Sequence, residues 1–151
     1  MKMPPNIAAW FQGNLYLLTL SGYSADLFTC AKPGELDDDP QFRWQLAVDM
    51  IYRGIKCGLM DVWDGANKER GAMDYSLELV KKLAQFDPES DHVCWFGPEL
   101  EASELCKTLT EKFNIYDYEL GDICEPFIEE IEALFVLNEV EWSKYPLIKL
   151  E

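Results

Sequence analysis

A chain of 151 residues, 48% of them apolar, is the right size for one domain with a substantial core. Eight Phe, seven Tyr and five Trp argue against a disordered acidic tail, because so much aromatic surface has to be buried. A formal net charge of −15 argues against DNA, RNA or anionic lipid as a ligand and favours cationic proteins.

The five cysteines, Cys30, Cys57, Cys94, Cys106 and Cys124, are widely spaced and odd in number. They spell neither a disulfide framework nor a zinc motif, so free thiols and a cytoplasmic setting are expected. The apolar run Leu15 to Leu20 is too short to span a bilayer. Leu27-Phe28-Thr29-Cys30 matches a lipoprotein cleavage site only loosely, since Asp26 stands where an apolar stretch is wanted.

In chain order, residues 1–5 read as a loose end because Pro4 and Pro5 disfavour helix before them. Residues 7–20 are apolar and aromatic but interrupted by Gly13-Asn14, giving two short helices or a helix and a strand. A loop over 31–40 ends in a helix start, with Asp39 as N-cap and Pro40 in the first helical position. The spacing of Trp44, Ala47, Val48, Ile51 and Ile55 then predicts a helix over 40–58 with one buried face, closed by Gly58.

Leu59 to Trp63 reads as a short strand, followed by a turn at Asp64-Gly65-Ala66-Asn67. A helix is predicted over 73–86, on Met73, Leu77, Val80 and Ala84, and another short strand over 92–96. Gly97-Pro98-Glu99 is expected to open a helix over 98–113, acids first and Lys107 and Lys112 last, with Ala102, Cys106, Leu109 and Phe113 facing inward. Asp122 is expected to cap a last helix over 122–137, with Ile131 and Phe135 buried, and the tail from Trp142 to Leu150 to add an edge strand. With no internal repeat or linker, the fold class is mainly α, or α+β with a minor short-stranded β component, in a single compact domain.

Negative charge is unevenly distributed. Thirteen acids and two bases lie between Glu99 and Glu141, and no Lys or Arg occurs between Phe113 and Ser143. Asp122, Glu125, Glu129 and Glu132 follow helical spacing and line one stripe, where like charges cost about 0.2–0.5 kcal/mol per pair. A solvated face accounts for such a run, and so does a surface kept negative for a basic partner. On the second reading the contact residues are Asp117, Glu119, Asp122, Glu125, Glu129 and Glu132, with Tyr116, Tyr118 and Trp142 as aromatic anchors. No sequence-near cation offsets the repulsion.

Catalytic and cofactor signals are weak. Val62 and Trp63 break the ligand pattern of a calcium loop at Asp61 to Asn67, and Glu35, Asp37, Asp38 and Asp39 are explained by a capped loop. Gly54 to Gly58 spells a membrane helix-dimer motif, but Arg53 and Lys56 exclude that helix from lipid. His92 and Cys94 share a strand face without an orienting third group, no pair of carboxylates is marked out, and no phosphate-cradling glycine loop is present. The expectation is a protein that is not an enzyme and uses neither metal nor cofactor.

The helix Trp44-Gln-Leu-Ala-Val-Asp-Met-Ile-Tyr-Arg-Gly-Ile-Lys-Cys-Gly-Leu, followed by a short strand in a small acidic chain, resembles in style bacterial immunity proteins of contact-dependent and secreted-toxin systems. The resemblance covers residues 40–64. It implies a cytoplasmic, non-catalytic protein that binds and neutralises a cognate toxin or effector with a basic surface. Two alternatives share the size and charge: an acidic chaperone of a secreted effector, and a DNA mimic that inhibits a DNA-binding protein.

Overall fold

In the structure, a computed structural model that describes residues 1–25, 28, 39–63, 80–85, 99–119 and 121–151, the aromatic run at the start of the chain is one unbroken helix, α1 (Pro5–Leu20). Gly13-Asn14 does not interrupt it. Asn14 Nδ2 donates to Trp10 O at 2.9 Å, and Tyr23 Oη donates to Asn14 Oδ1 at 2.8 Å, so a buried polar residue is satisfied inside the helix. Ile7, Ala8, Trp10, Phe11, Leu15 and Leu18 are all buried, as suits a helix at the centre of a fold. The end before it is tied down: Met3 is 2% exposed, and the Lys2 amide donates to both Glu132 oxygens at 2.9 and 2.8 Å. Proline at the first helical position starts α1, and its fixed φ says nothing of whether the residues before it are loose.

A short strand, β1 (Tyr23–Ser24), follows α1. The next described helix, α2 (Pro40–Lys56), begins as its sequence dictates, with the Asp39 side chain accepting from the Gln41 amide at 3.1 Å and Pro40 in the first turn. It ends at Gly58, whose φ of +68° favours glycine. Gly54 serves packing, since a Cβ there would overlap the Met60 side chain. Val48 and Ile51 are buried, whereas Trp44 stays half-buried and donates its indole N–H to Leu83 O at 2.7 Å.

Strand β2 (Met60–Trp63) pairs antiparallel with β3 (Glu99–Ala102), with Met60 opposite Ala102 and Val62 opposite Leu100; β1 pairs with the other edge of β3 through Tyr23 and Leu100. The sheet order is β1-β3-β2. The helix expected over 98–113 is therefore corrected: its first residues are the central strand. Leu100 and Ala102 are buried while Glu99 and Glu101 are half-buried, a two-residue alternation. Helix α3 (Glu104–Lys112) starts only after Ser103, whose hydroxyl caps the Cys106 amide at 3.1 Å. Leu109 is buried, as expected.

After a 3-10 turn (Ile115–Asp117), helix α4 (Glu125–Leu137) packs Phe127, Ile128, Ile131 and Phe135 into the core. Asp122 does not cap it. The capping position is Cys124, and the entry is held from α1: Gln12 Oε1 accepts the Cys124 amide at 2.9 Å while Gln12 Nε2 donates to Asp122 O at 3.0 Å.

The tail forms no strand. It runs as an extended strap along α2, gripped by polar side chains one turn apart. Arg53 donates to Val140 O and Glu141 O, Asp49 accepts from Leu147 and Ile148, and Gln45 accepts from Leu150 and donates to Ile148 O. The result is a helix-rich fold with a minor antiparallel sheet around one hydrophobic core. Of the helix expected over 73–86, residues 80–83 are helical with Val80 and Leu83 buried. The remainder of that helix, the strand over 92–96 with His92 and Cys94, the 64–67 turn and Cys30 lie outside the described residues.

Candidate functional site

The turn between α3 and α4 carries the densest group of candidate contact residues. Asn114, with φ +51°, ends α3 in a left-handed conformation; Ile115 turns back into the core, while Tyr116, Asp117, Tyr118, Glu119 and Asp122 are all exposed. Asp117, Tyr118 and Asp122 line a shallow groove of about 480 Å³ with Phe113 and Asn114. Tyr118, Glu119 and Asp122 also border a smaller cleft against Gly13 and Tyr16 of α1. The Tyr118 phenol is pushed above its ordinary range, chiefly by the neighbouring Cys124 thiol.

Glu125 and Glu129 continue the acidic surface along α4, both exposed. Glu132 does not belong with them in the same sense, because it is half-buried and both its oxygens receive the Lys2 amide. Trp142 is likewise half-buried, lying against the Arg53 guanidinium at 5.4 Å from the ring centroid. Among the described residues no cation near in sequence reaches the stripe, but cations from farther away pair with two acids beside it. Lys112 pairs with Glu130 at 2.9 Å and Lys2 with Glu141 at 3.1 Å, contacts from outside the cation-free stretch of sequence. Both pairs are exposed, which limits each to a small contribution. Asp117, Glu119, Asp122, Glu125 and Glu129 have no ion pair among the described residues.

A second concavity lies where the start of α1, the start of α2 and the strap meet. It measures about 390 Å³ and is walled by Ile7, Phe42, Leu46, Trp142 and Pro146, with Asp49 and Lys144 as its charged members. Asp49 is 7% exposed. Burial pushes its carboxyl above the ordinary 3.8, and the Ile148 and Leu147 amides, the Arg53 charge and Gln45 only partly oppose this. In the sequence Gln45 and Asp49 draw no notice, and Arg53 counts only as a charge that keeps this helix out of lipid. Their four-residue spacing beside a buried face was the available signal.

Neither Cys57 nor Cys106 is an activated thiol. Burial raises Cys57 to about 11 and Cys106 to about 12, and each donates to a backbone carbonyl, Leu134 O and Leu15 O respectively. Cys57, Cys106 and Cys124 are all free. Among the described residues no three His, Cys, Asp or Glu side chains are grouped to hold a metal ion, and no helix is long and apolar enough to cross a membrane. No protein-family model, curated protein or solved structure matches this chain.

Proposed function

We propose that this protein is a bacterial immunity protein that binds and neutralises a cognate toxin carrying a basic surface, acting in the cytoplasm through its exposed acidic face. The observation that carries this reading is the group of exposed residues in the turn between α3 and α4. Two tyrosines and three carboxylates are exposed together there, and no Lys or Arg lies between Phe113 and Ser143. A basic partner relieves the repulsion among these acids, while the field of a chain at −15 accelerates encounter. Tyr116, 61% exposed, and Tyr118, 40% exposed, supply the large, low-entropy rings that serve as anchors in interfaces. No catalytic step is needed for such a role.

The test is retention of native partners by the tagged protein expressed in its own cells. A single folded basic protein, lost when Asp117, Glu119 and Asp122 are changed to Lys, supports the reading. Capture of an unfolded effector segment would favour the chaperone role instead, and capture of a DNA-binding protein would favour mimicry. Either result overturns toxin neutralisation.

A further inference from the structure

We propose that the pocket between α1, α2 and the strap is a binding site for a small organic cation, an ammonium group on an aryl or alkyl body. Its volume of about 390 Å³ lies in the range of small-molecule sites, and its walls of Ile7, Phe42, Leu46, Trp142 and Pro146 suit an apolar body. The choice of charge rests on Asp49, the buried acid among the lining residues. Both strap amides converge on one of its oxygens, Oδ1, at 3.1 and 3.0 Å, and no hydrogen bond of good geometry reaches Oδ2 among the described residues. A carboxylate at the edge of an apolar cavity without an ion pair among the described residues gains from a cation that brings its own N–H donors or positive charge.

Neighbouring charges do not already meet that need. Arg53, one turn along α2, is committed to Val140 O and Glu141 O at 2.9 and 2.8 Å, and burial still dominates over it at Asp49. Gln45 spends both ends of its amide on the strap and is the smallest of the influences that oppose burial at Asp49. Lys144, the other charged lining residue, is exposed with its Nζ 5.3 Å from the Tyr145 ring centroid, so its repulsion acts through water while the attraction of Asp49 acts from a drier site. Phe42 adds a ring surface that attracts cations, while the Trp142 ring already carries Arg53 and serves as an apolar wall.

This site is separate from the acidic face, and testing it requires no partner protein. The full chain is titrated at pH 7 with 2-phenylethylammonium and benzyltrimethylammonium, and with neutral 2-phenylethanol and anionic 3-phenylpropionate, followed by tryptophan fluorescence and amide chemical shifts. Both cations should saturate, binding about tenfold more tightly than the alcohol, and the anion should not. Asp49→Asn, which keeps an acceptor for the strap, should erase the preference for cations over the alcohol. Phe42→Ala, at a 39% exposed position that the fold tolerates, should weaken cation and alcohol alike. Shifts should map to residues 42–49 and 142–146. Equal binding of cation and alcohol, no saturation by either cation up to about 10 mM, or shifts confined to residues 116–129 would each overturn the assignment. So would a folded Asp49→Asn that keeps the preference; if that variant fails to fold, the Phe42→Ala titration and the shift map decide.

Discussion

Asp49 Oδ1 accepts the Ile148 amide at 3.0 Å, a contact between residues ninety-nine apart that fixes the end of the chain to the middle of α2. The Leu147 amide shares the same oxygen at 3.1 Å. A buried carboxylate here serves as a clamp, and its charge is held at a cost: burial raises the carboxyl above 3.8 despite the two amides. An acid with a raised folded pKa binds protons more tightly when folded, so its contribution falls as pH rises from 3.8 through the folded value. Asp49→Asn should therefore raise the thermal midpoint at pH 7, with the gain shrinking as pH falls and gone below 3.8. Melting curves of both proteins across pH 3 to 8 check this, and a gap that widens on acidification would contradict it.

Arg53 is the strap's second clamp, 1% exposed, with its guanidinium 5.7 Å from the Phe135 ring centroid and 5.4 Å from that of Trp142. Arg53→Ala strands two carbonyls, Val140 O and Glu141 O, and opens a void between aromatic rings. The expected loss is about 3 kcal/mol in urea unfolding. Arg53→Lys should recover only part of it, because one ammonium on a flexible stem does not reproduce a planar fork over two acceptors. Full recovery by Lys would show that only the charge matters.

Much of the fold was legible where a local rule governs one element. Asp39-Pro40 and Gly58 bracket α2 because capping and left-handed geometry are decided within a few residues. Strand β3 was missed because Glu99 and Glu101 look like an acidic first helical turn, and the competing alternation of Leu100 and Ala102 spans only four residues. Pairing with β1 and β2 settles the matter, and those partners lie far away in sequence. The same holds for the start of α4, capped by Gln12 more than a hundred residues earlier, and for Trp142, whose place against Arg53 no periodicity announces. In the acidic stretch, the exposure of Tyr116, Asp117, Tyr118, Glu119 and Asp122 was readable from composition. The diversion of Glu132 to the Lys2 amide was not, because it depends on where the first residues of the chain lie.

The N-terminal end gives a sharp contrast between position and burial. Met3 is 2% exposed in the core, whereas Leu137, the last residue of α4, is 77% exposed. Met3→Ala should cost about 3 kcal/mol, and Leu137→Ala should stay within about 0.5 kcal/mol of the parent. Equilibrium unfolding measures both. Equal effects would mean that the first residues do not occupy the core.

The acidic stripe on α4 divides into residues that are free to meet a partner and one that is already used. Glu125 and Glu129 are exposed and have no ion pair among the described residues, so Glu125→Lys with Glu129→Lys should leave the thermal midpoint unchanged or raise it by removing like-charge repulsion. Glu132→Lys should behave differently. Its carboxylate accepts the Lys2 amide on both oxygens, and a lysine there offers no acceptor and adds a second cation beside Lys2, which also pairs with Glu141. That variant should loosen the N-terminal segment, seen as faster amide exchange at residues 2–8 and a lower midpoint. Against a basic partner, the double variant should slow association and flatten its salt dependence at unchanged fold, since steering acts on the encounter rate and is screened by salt. Glu132→Lys should change stability more than it changes the salt slope. If the double variant associates at the parental rate at every salt concentration, the stripe is solvated surface and the partner's contact lies elsewhere.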